Sequence, residues 1–177
     1  MDADFILIQR MRHGDNAAFD LFINKYYADI LRYCLHHCCD KETAKDLTQE
    51  TFMKFFERFS KYTHKGKAKN YLYVIASNKY RDHYKKMKEQ PFNSESLTVL
   101  LEQEAQPPDD LNLAITIHEY LRKLPDEFTE VLVLRYYQDL KLSEIAEILD
   151  IGQPLVKYRL KRGKEILEKM LHDGGIE

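Results

Sequence analysis

The sequence predicts an all-α fold: two small helical domains joined by an acidic linker, the second containing a helix-turn-helix. Three observations carry that prediction. Apolar residues recur at three- and four-residue steps through most of the chain, and no alternating strand pattern appears. Between Pro91 and the pair Pro107-Pro108 the chain turns acidic. Close to the carboxy terminus a short apolar helix pattern, a turn residue and a proline-started basic helix follow one another.

The totals bound the reading. A length of 177 residues suits one ordinary domain or two small ones, each with a modest core. With 44% hydrophobic and 32% charged residues, the composition is that of a soluble globular protein. No apolar run reaches the ~20 residues that span a bilayer. The start, Met1 to Asp4, lacks a signal peptide's basic region. The expectation is a cytoplasmic protein with no membrane insertion. Cys34, Cys38 and Cys39 sit too close together for a disulfide framework, which agrees with a reducing compartment.

A net charge of −2 argues, taken alone, against nucleic acid, but position reverses the argument. Residues 1–90 balance to +5, residues 91–110 to −5 and residues 111–177 to −2. Such asymmetry marks a charged partner.

Taken in order, the elements begin at Ala18. Phe19, Phe22, Ile23, Tyr26, Tyr27, Ile30, Leu31, Cys34, Leu35 and Cys38 draw one apolar stripe on a helix. A second helix is predicted over 42–59, burying Ala44, Leu47, Thr51, Phe52, Phe55 and Phe59. After a break around Gly66, a third is predicted over 71–88 with Leu72, Ile75, Ala76 and Tyr80 inward. Pro91 closes this unit, 1–90. The linker, 91–110, reaches on the order of 65 Å when extended, and holds one apolar patch, Leu97 to Leu101. The last unit, 111–177, opens with a helix over 111–123, and Pro125 starts another.

The helix-turn-helix follows from side-chain size and backbone preference. Ile145, Ala146 and Leu149 form the inner face of its first helix, and Val156 with Leu160 that of its second. Ala146 is small enough for a close crossing. Asp150 stands at the turn, where glycine is commonest but Asp tolerates the left-handed conformation. Pro154 fits only a first helical turn, which starts the second helix near Gly152 or Gln153. Gln153 opens that helix, and Lys157, Tyr158, Arg159, Lys161, Arg162 and Lys164 furnish an outer face suited to phosphates and base edges.

Two further surfaces stand out. From Lys61 to Lys88 nine bases face the single acid Asp82, interleaved with Tyr62, His64, Tyr71, Tyr73, Tyr80, His83 and Tyr84. Cations track a phosphate backbone and rings stack on unpaired bases, so this segment suits a single strand. On the second helix Asp46, Gln49, Glu50, Met53 and Glu57 share one polar side, opposite the phenylalanines, where acids steer and Met adapts to a basic partner.

The run Asp46-Leu-Thr-Gln-Glu50-Thr-Phe-Met-Lys-Phe resembles the Asp-Leu-x-Gln-Glu-x-Phe motif of the extracytoplasmic-function (ECF) sigma factors. Gly14 to Phe19 with Tyr26 and Tyr27, Asn70 to Asn78 with Asp82, and Leu124-Pro125 through the helix-turn-helix resemble that family's other segments, in the same order. The resemblance implies a factor that binds core RNA polymerase, recognises and melts promoter DNA and directs initiation, with no enzymatic activity, no metal and no cofactor. Asp46, Gln49, Glu50 and Met53 would meet the polymerase clamp. Tyr62, His64, Lys65, Lys67, Lys69, Asn70, Tyr71, Asn78, Lys79 and Arg81 would take the melted minus-ten element. Gln153, Lys157, Tyr158, Arg159, Lys161 and Arg162 would face the minus-thirty-five duplex. The family also implies an anti-sigma factor as partner. Tyr71 stands where the family usually has Trp, Gly152 and Lys141 where Ser or Thr often cap, and Tyr158 where a small Ser is usual.

Two other readings compete. A one-component helix-turn-helix regulator with an amino-terminal sensor domain would need an enclosed apolar pocket and no Asp46–Glu50 face. A metal sensor would be built on Cys34, His36, His37, Cys38 and Cys39, but Cys34 and Cys38 continue the core stripe.

Overall fold

The computed structural model describes residues 3–38, 40–84 and 111–175. The acidic linker, its patch Leu97 to Leu101, Cys39 and the bases Lys85, Lys86 and Lys88 lie outside the described residues. Within them the chain is all-α, with no strand.

Helix α1 (Ala3–Arg12) has no counterpart in the periodicity of the sequence. Its buried residues are Asp4, which accepts from Lys25 and Tyr26 of α2, Ile8 and Met11, while Phe5 and Ile6 point to solvent. Gly14, at φ +80°, makes the turn into α2 (Asn16–His37), and Asp15 caps that helix by accepting the Ala17 amide at 3.0 Å. Of the stripe read from the sequence, Phe22, Tyr26, Ile30, Cys34 and Leu35 are buried on α2 and Phe19, Ile23, Tyr27 and Leu31 are half-buried, while Tyr33, His36 and His37, outside the stripe, are buried as well. Helix α3 (Lys41–Glu57) is capped by Asp40, whose carboxylate accepts the Thr43 amide at 2.8 Å. It stops two residues short of the predicted end, and a 3₁₀ turn (Phe59–Lys61) leaves Phe59 half-buried. Phe22 stacks on Phe55 at 4.8 Å, which pins α2 to α3. Helix α4 (Ala68–Tyr84) starts a turn earlier than predicted and buries Leu72, Ile75, Ala76 and Tyr80 as expected.

In the second half, α5 (Leu111–Lys123) leads through Pro125 into α6 (Asp126–Leu132), and Thr129 donates its hydroxyl to the Leu121 carbonyl at 2.8 Å. The helix widens into a π turn (Val133–Tyr137), then α7 (Leu142–Leu149) and α8 (Gln153–Asp173) form the helix-turn-helix.

The halves do not stand apart. One apolar core runs through both, and α4 packs against α7. A row of polar contacts clasps them. Ser77 and Arg81 of α4 hold the two oxygens of Glu130 at 2.6 and 2.8 Å. Tyr73 donates to Gln138 at 2.7 Å and Tyr80 to Asp126 at 2.8 Å. Glu130 is only 2% exposed, so its charge depends on these partners.

Two buried imidazoles also meet across the junction, His36 of α2 and His118 of α5, their Nδ1 atoms 3.3 Å apart with one donating to the other. The Tyr137 ring packs against His36 in a tilted arrangement, ring centroids 3.8 Å apart. Burial, and then the neighbouring imidazole, holds His36 well below the usual histidine range. Burial and the nearby Arg122 bring His118 down to about 3. Burial lowers His37 as well.

The sign of the linkage follows. All three imidazoles are neutral in the fold, whereas in the unfolded chain they take up protons below about pH 6.5. Stability present above that pH is lost as pH falls toward the depressed folded values, by up to about 1.4 kcal/mol per pH unit for each imidazole. The unfolding midpoint, followed by circular dichroism, is therefore expected to drop steadily from pH 6.5 to pH 5, above the main carboxylate range. A midpoint flat across that interval contradicts the neutral buried imidazoles.

Candidate nucleic-acid interface

The loop between α3 and α4 builds a cavity of about 500 Å³ lined by Lys61, Tyr62, Thr63, Lys65, Lys67, Asn70, Tyr71, Val74 and Glu147. Its aromatic wall is rigid. Tyr62 and Tyr71 stack at 5.1 Å, and Phe55 lies behind both. Arg12 of α1 donates to the Tyr62 carbonyl at 2.6 Å, and the Tyr62 hydroxyl meets His64 Nδ1 at 3.1 Å. Gly66, at φ +74°, lets the loop turn back toward α4. The buried Asn70 amide nitrogen has no hydrogen-bond partner. An amide donor beside stacked rings and lysines suits an unpaired base with its phosphate.

Of the ten residues expected at this strand site, Tyr62, Lys65, Lys67, Asn70 and Tyr71 line the cavity, and His64 braces it. Lys69 pairs with Asp29 at 2.7 Å. Further along α4, Asn78 is exposed, Lys79 pairs with Glu50 at 2.8 Å, and Arg81 is held by Glu130. Lys61, Thr63, Val74 and Glu147 line the cavity as well and are not among those ten. Lys61 and Thr63 are sequence neighbours of Tyr62 and belong to the same Lys/Tyr run. Glu147 comes from α7, and nothing in the local sequence announces it.

The polar side of α3 is as read. Asp46, Gln49 and Glu50 are exposed and Met53 is 62% exposed, opposite Leu47, Thr51 and Phe55. Asp46 has no ion pair among the described residues; Glu50 has Lys79.

In the helix-turn-helix, Asp150 adopts the left-handed conformation at φ 54°, and the Ile151 amide closes the turn on the Ala146 carbonyl at 3.0 Å. Lys141 is no side-chain cap for α7; Glu144 reaches back instead and accepts the Lys141 amide at 2.9 Å. Helix α8 starts at Gln153 with Pro154 in its first turn, as predicted. Val156 and Leu160 are buried, while Gln153, Lys157, Tyr158 and Lys161 are exposed. Two of the five bases are engaged internally, Arg159 with Glu127 at 3.0 Å and Arg162 with Glu165 at 3.1 Å. Lys157, Lys161 and Lys164 have no ion pair among the described residues, and their spacing puts them on one side. Gly163 carries no signal in the sequence. It sets the crossing of α8 over α6, because an added Cβ would sit 3.1 Å from Phe128 Cβ and Leu132 Cδ1.

The cysteines Cys34 and Cys38 of the metal reading lie in the core. Burial pushes the Cys34 thiol up to about 12, so it stays protonated at neutral pH.

Comparison with known proteins bears on these surfaces. The family described as Sigma-70 region 2 matches residues 22–89, and Sigma-70, region 4 matches residues 115–167. The ECF RNA polymerase sigma factor SigW of Bacillus subtilis is 33% identical, with 94% of this chain and 95% of that protein covered. SigM of the same organism is 31% identical over 89% of this chain and 96% of its own length. Among solved structures, CnrH in complex with the cytosolic domain of CnrY shares the fold at TM-score 0.75 and 21% identity, covering 97% of this chain and 99% of that one. The sigma factor RpoE of Bartonella quintana, in complex with the anti-sigma factor NepR, does so at TM-score 0.67 and 15% identity, covering 87% and 96%.

Gly163→Val is expected to overpack the α6–α8 crossing and destabilise the fold by about 1–3 kcal/mol, read as a lower denaturant midpoint. Lys161→Ala, on the outer side of the same helix, leaves the stability within about 0.5 kcal/mol of the unsubstituted protein's.

Proposed function

The chain belongs to the ECF RNA polymerase sigma factors, and from that premise we propose how its surfaces divide the work of initiation. As a sigma factor it binds core RNA polymerase and promoter DNA. The observation that carries the reading is coverage: the likeness to SigW runs over 94% of this chain, so the α3 face, the cavity and the helix-turn-helix all fall in a protein of one kind.

In this reading residues 1–90 hold the polymerase and the minus-ten element, residues 91–110 link, and residues 111–177 hold the minus-thirty-five element. Asp46, Gln49, Glu50 and Met53 dock on a basic polymerase surface, with Met53 as the adaptable apolar contact. A base of the melted strand enters the cavity between Tyr71 and the Asn70 amide, and Lys65 and Lys67 take its phosphates. Gln153, Lys157, Tyr158 and Lys161 enter a major groove, positioned by the buried Val156 and Leu160. The work is binding and strand separation, not covalent chemistry, and it takes place in the cytoplasm, where the polymerase is. No helix among the described residues is long and apolar enough to cross a membrane. The RpoE relative was captured with an anti-sigma factor, and we extend to this chain a partner of that kind. The regulator reading draws no support from the cavity, which is lined by lysines and opens at the surface.

Charge reversal tests the docking face. Asp46→Lys with Glu50→Lys is expected to weaken binding to bacterial core polymerase by at least a hundredfold, about 2.7 kcal/mol, with unchanged helical circular dichroism. Undiminished binding refutes the assignment of this face. For the duplex site, replacing Lys157 and Lys161 by Ala is expected to lower the slope of log affinity against log salt by about one for each phosphate no longer neutralised. A slope equal to the unsubstituted protein's removes these lysines from the interface.

A further inference from the structure

The outer face of α8 carries more than charge. Val156, Leu160 and Gly163 are its buried side, and Tyr158, two residues from both Val156 and Leu160, stands nearly opposite them at ~100° per residue. Tyr158 is 60% exposed, and Leu155, one turn earlier beside it, is 39% exposed. Neither belongs to the apolar core. The exposed Lys157 and Lys161 flank the pair on one side, and on the other Arg159 is drawn to Glu127 at 3.0 Å.

We propose that Leu155 and Tyr158 are specificity-determining residues of the duplex site: together they cover the C5 methyl groups of thymines in the major groove. The proposal rests on the reading of α8 as the duplex-reading helix, and names the chemical group that it reads.

Position comes first. In a helix-turn-helix the amino-terminal turns of the second helix meet the base edges, and Leu155 and Tyr158 lie in the first two turns of a helix that starts at Gln153. Chemistry then selects the partner. Leucine neither donates nor accepts, so against a guanine, cytosine or adenine edge it strips water from polar atoms and returns no hydrogen bond. The C5 methyl of thymine is the one apolar group that a base pair shows in the major groove. The neighbouring cations are suited to other work. Lys157 and Lys161 are compact charges for phosphates. Arg159 and Arg162, whose forks could grip a guanine, already hold Glu127 and Glu165. What the centre of this face offers a base pair is therefore an aromatic ring and an isobutyl group. Both are exposed in the free chain and would leave water against a methyl, and against no other base edge without a desolvation cost.

The test uses the full chain bound to bacterial core polymerase. Genomic duplex fragments retained by this holoenzyme supply the probe. The upstream end of the region that it protects from hydroxyl radicals is remade with deoxyuridine for every thymine, which removes the methyl and keeps the pairing. Affinity is expected to fall about fourfold for each methyl that is covered. Tyr158→Ser made together with Leu155→Ser is expected to weaken binding to the thymine duplex and to erase its advantage over the uridine duplex, with helical circular dichroism and core-polymerase binding unchanged. Tyr158→Phe is expected to keep the advantage, and its loss there makes the hydroxyl the reader and refutes an apolar contact. Lys157→Ala is expected to weaken both duplexes alike, as a phosphate contact does. A protected segment without thymine refutes the methyl contact. So do thymine and uridine duplexes bound equally while Lys157→Ala still weakens both, and the duplex site then stands without it. An advantage that survives in the double Ser variant comes from another residue or from duplex shape, and it refutes the role of these two. If neither the double Ser variant nor Lys157→Ala alters binding, α8 does not meet the duplex, and the site assignment falls along with the proposal.

Discussion

A single buried carboxylate governs how the two halves of this protein meet. Glu130 is 2% exposed on α6, and both its oxygens are held from α4, one by Ser77 and the other by Arg81. A charge so placed is tolerable only with its donors in position. That requirement sets the rotation of α6 on α4, and the rest of the junction follows from it. Tyr80, one helical turn from Ser77, then reaches Asp126, one turn from Glu130. Tyr73, on the other side, reaches Gln138 beyond the π turn. Burial raises Asp126 above the ordinary carboxylate range, while the Tyr80 hydroxyl acts the other way. The junction thus combines one continuous apolar core with hydrogen bonds that fix its register.

The charge asymmetry of the sequence acquires a second meaning here. The excess of bases in residues 1–90 points to nucleic acid, yet in the fold many of those bases meet carboxylates of the same chain. Lys69 meets Asp29, Lys79 meets Glu50, Arg81 meets Glu130 and Lys67 meets Glu147. Such pairs stabilise little where they are exposed. A polyanion that met these bases would have to displace the carboxylates first. Glu50 links two surfaces in this way, because its partner Lys79 is a strand-site candidate while Glu50 itself belongs to the proposed polymerase face.

The fold was legible in the sequence wherever one side of a helix is apolar and the other is not. The stripe from Phe19 to Cys38 and the inward set Leu72, Ile75, Ala76 and Tyr80 are of that kind, and so are the turn elements Ala146, Asp150 and Pro154. Helix α1 was not legible, because the apolar Phe5 and Ile6 are exposed while the charged Asp4 is buried beside Ile8 and Met11, which blurs the period. The π turn at Val133–Tyr137 spans only five residues, too few for a change of winding to show in the periodicity. At the site, the aromatic and basic wall was legible because its residues are neighbours in sequence. The pairing of Arg81 with Glu130, 49 positions away, and of Lys67 with Glu147 was not. Local pattern identifies a cation; only the fold says which anion it already holds.

The two DNA surfaces differ in how they are kept. On α8 the arginines are tied to Glu127 and Glu165, and the exposed lysines project beyond them. Arg159 ties α8 to Glu127 of α6, Arg162 pairs along the helix with Glu165, and Lys157 and Lys161 are left exposed. The cavity beside α4 is the opposite case, since one of its lining residues, Glu147, is borrowed from the half that carries the helix-turn-helix and already holds Lys67 at 2.7 Å.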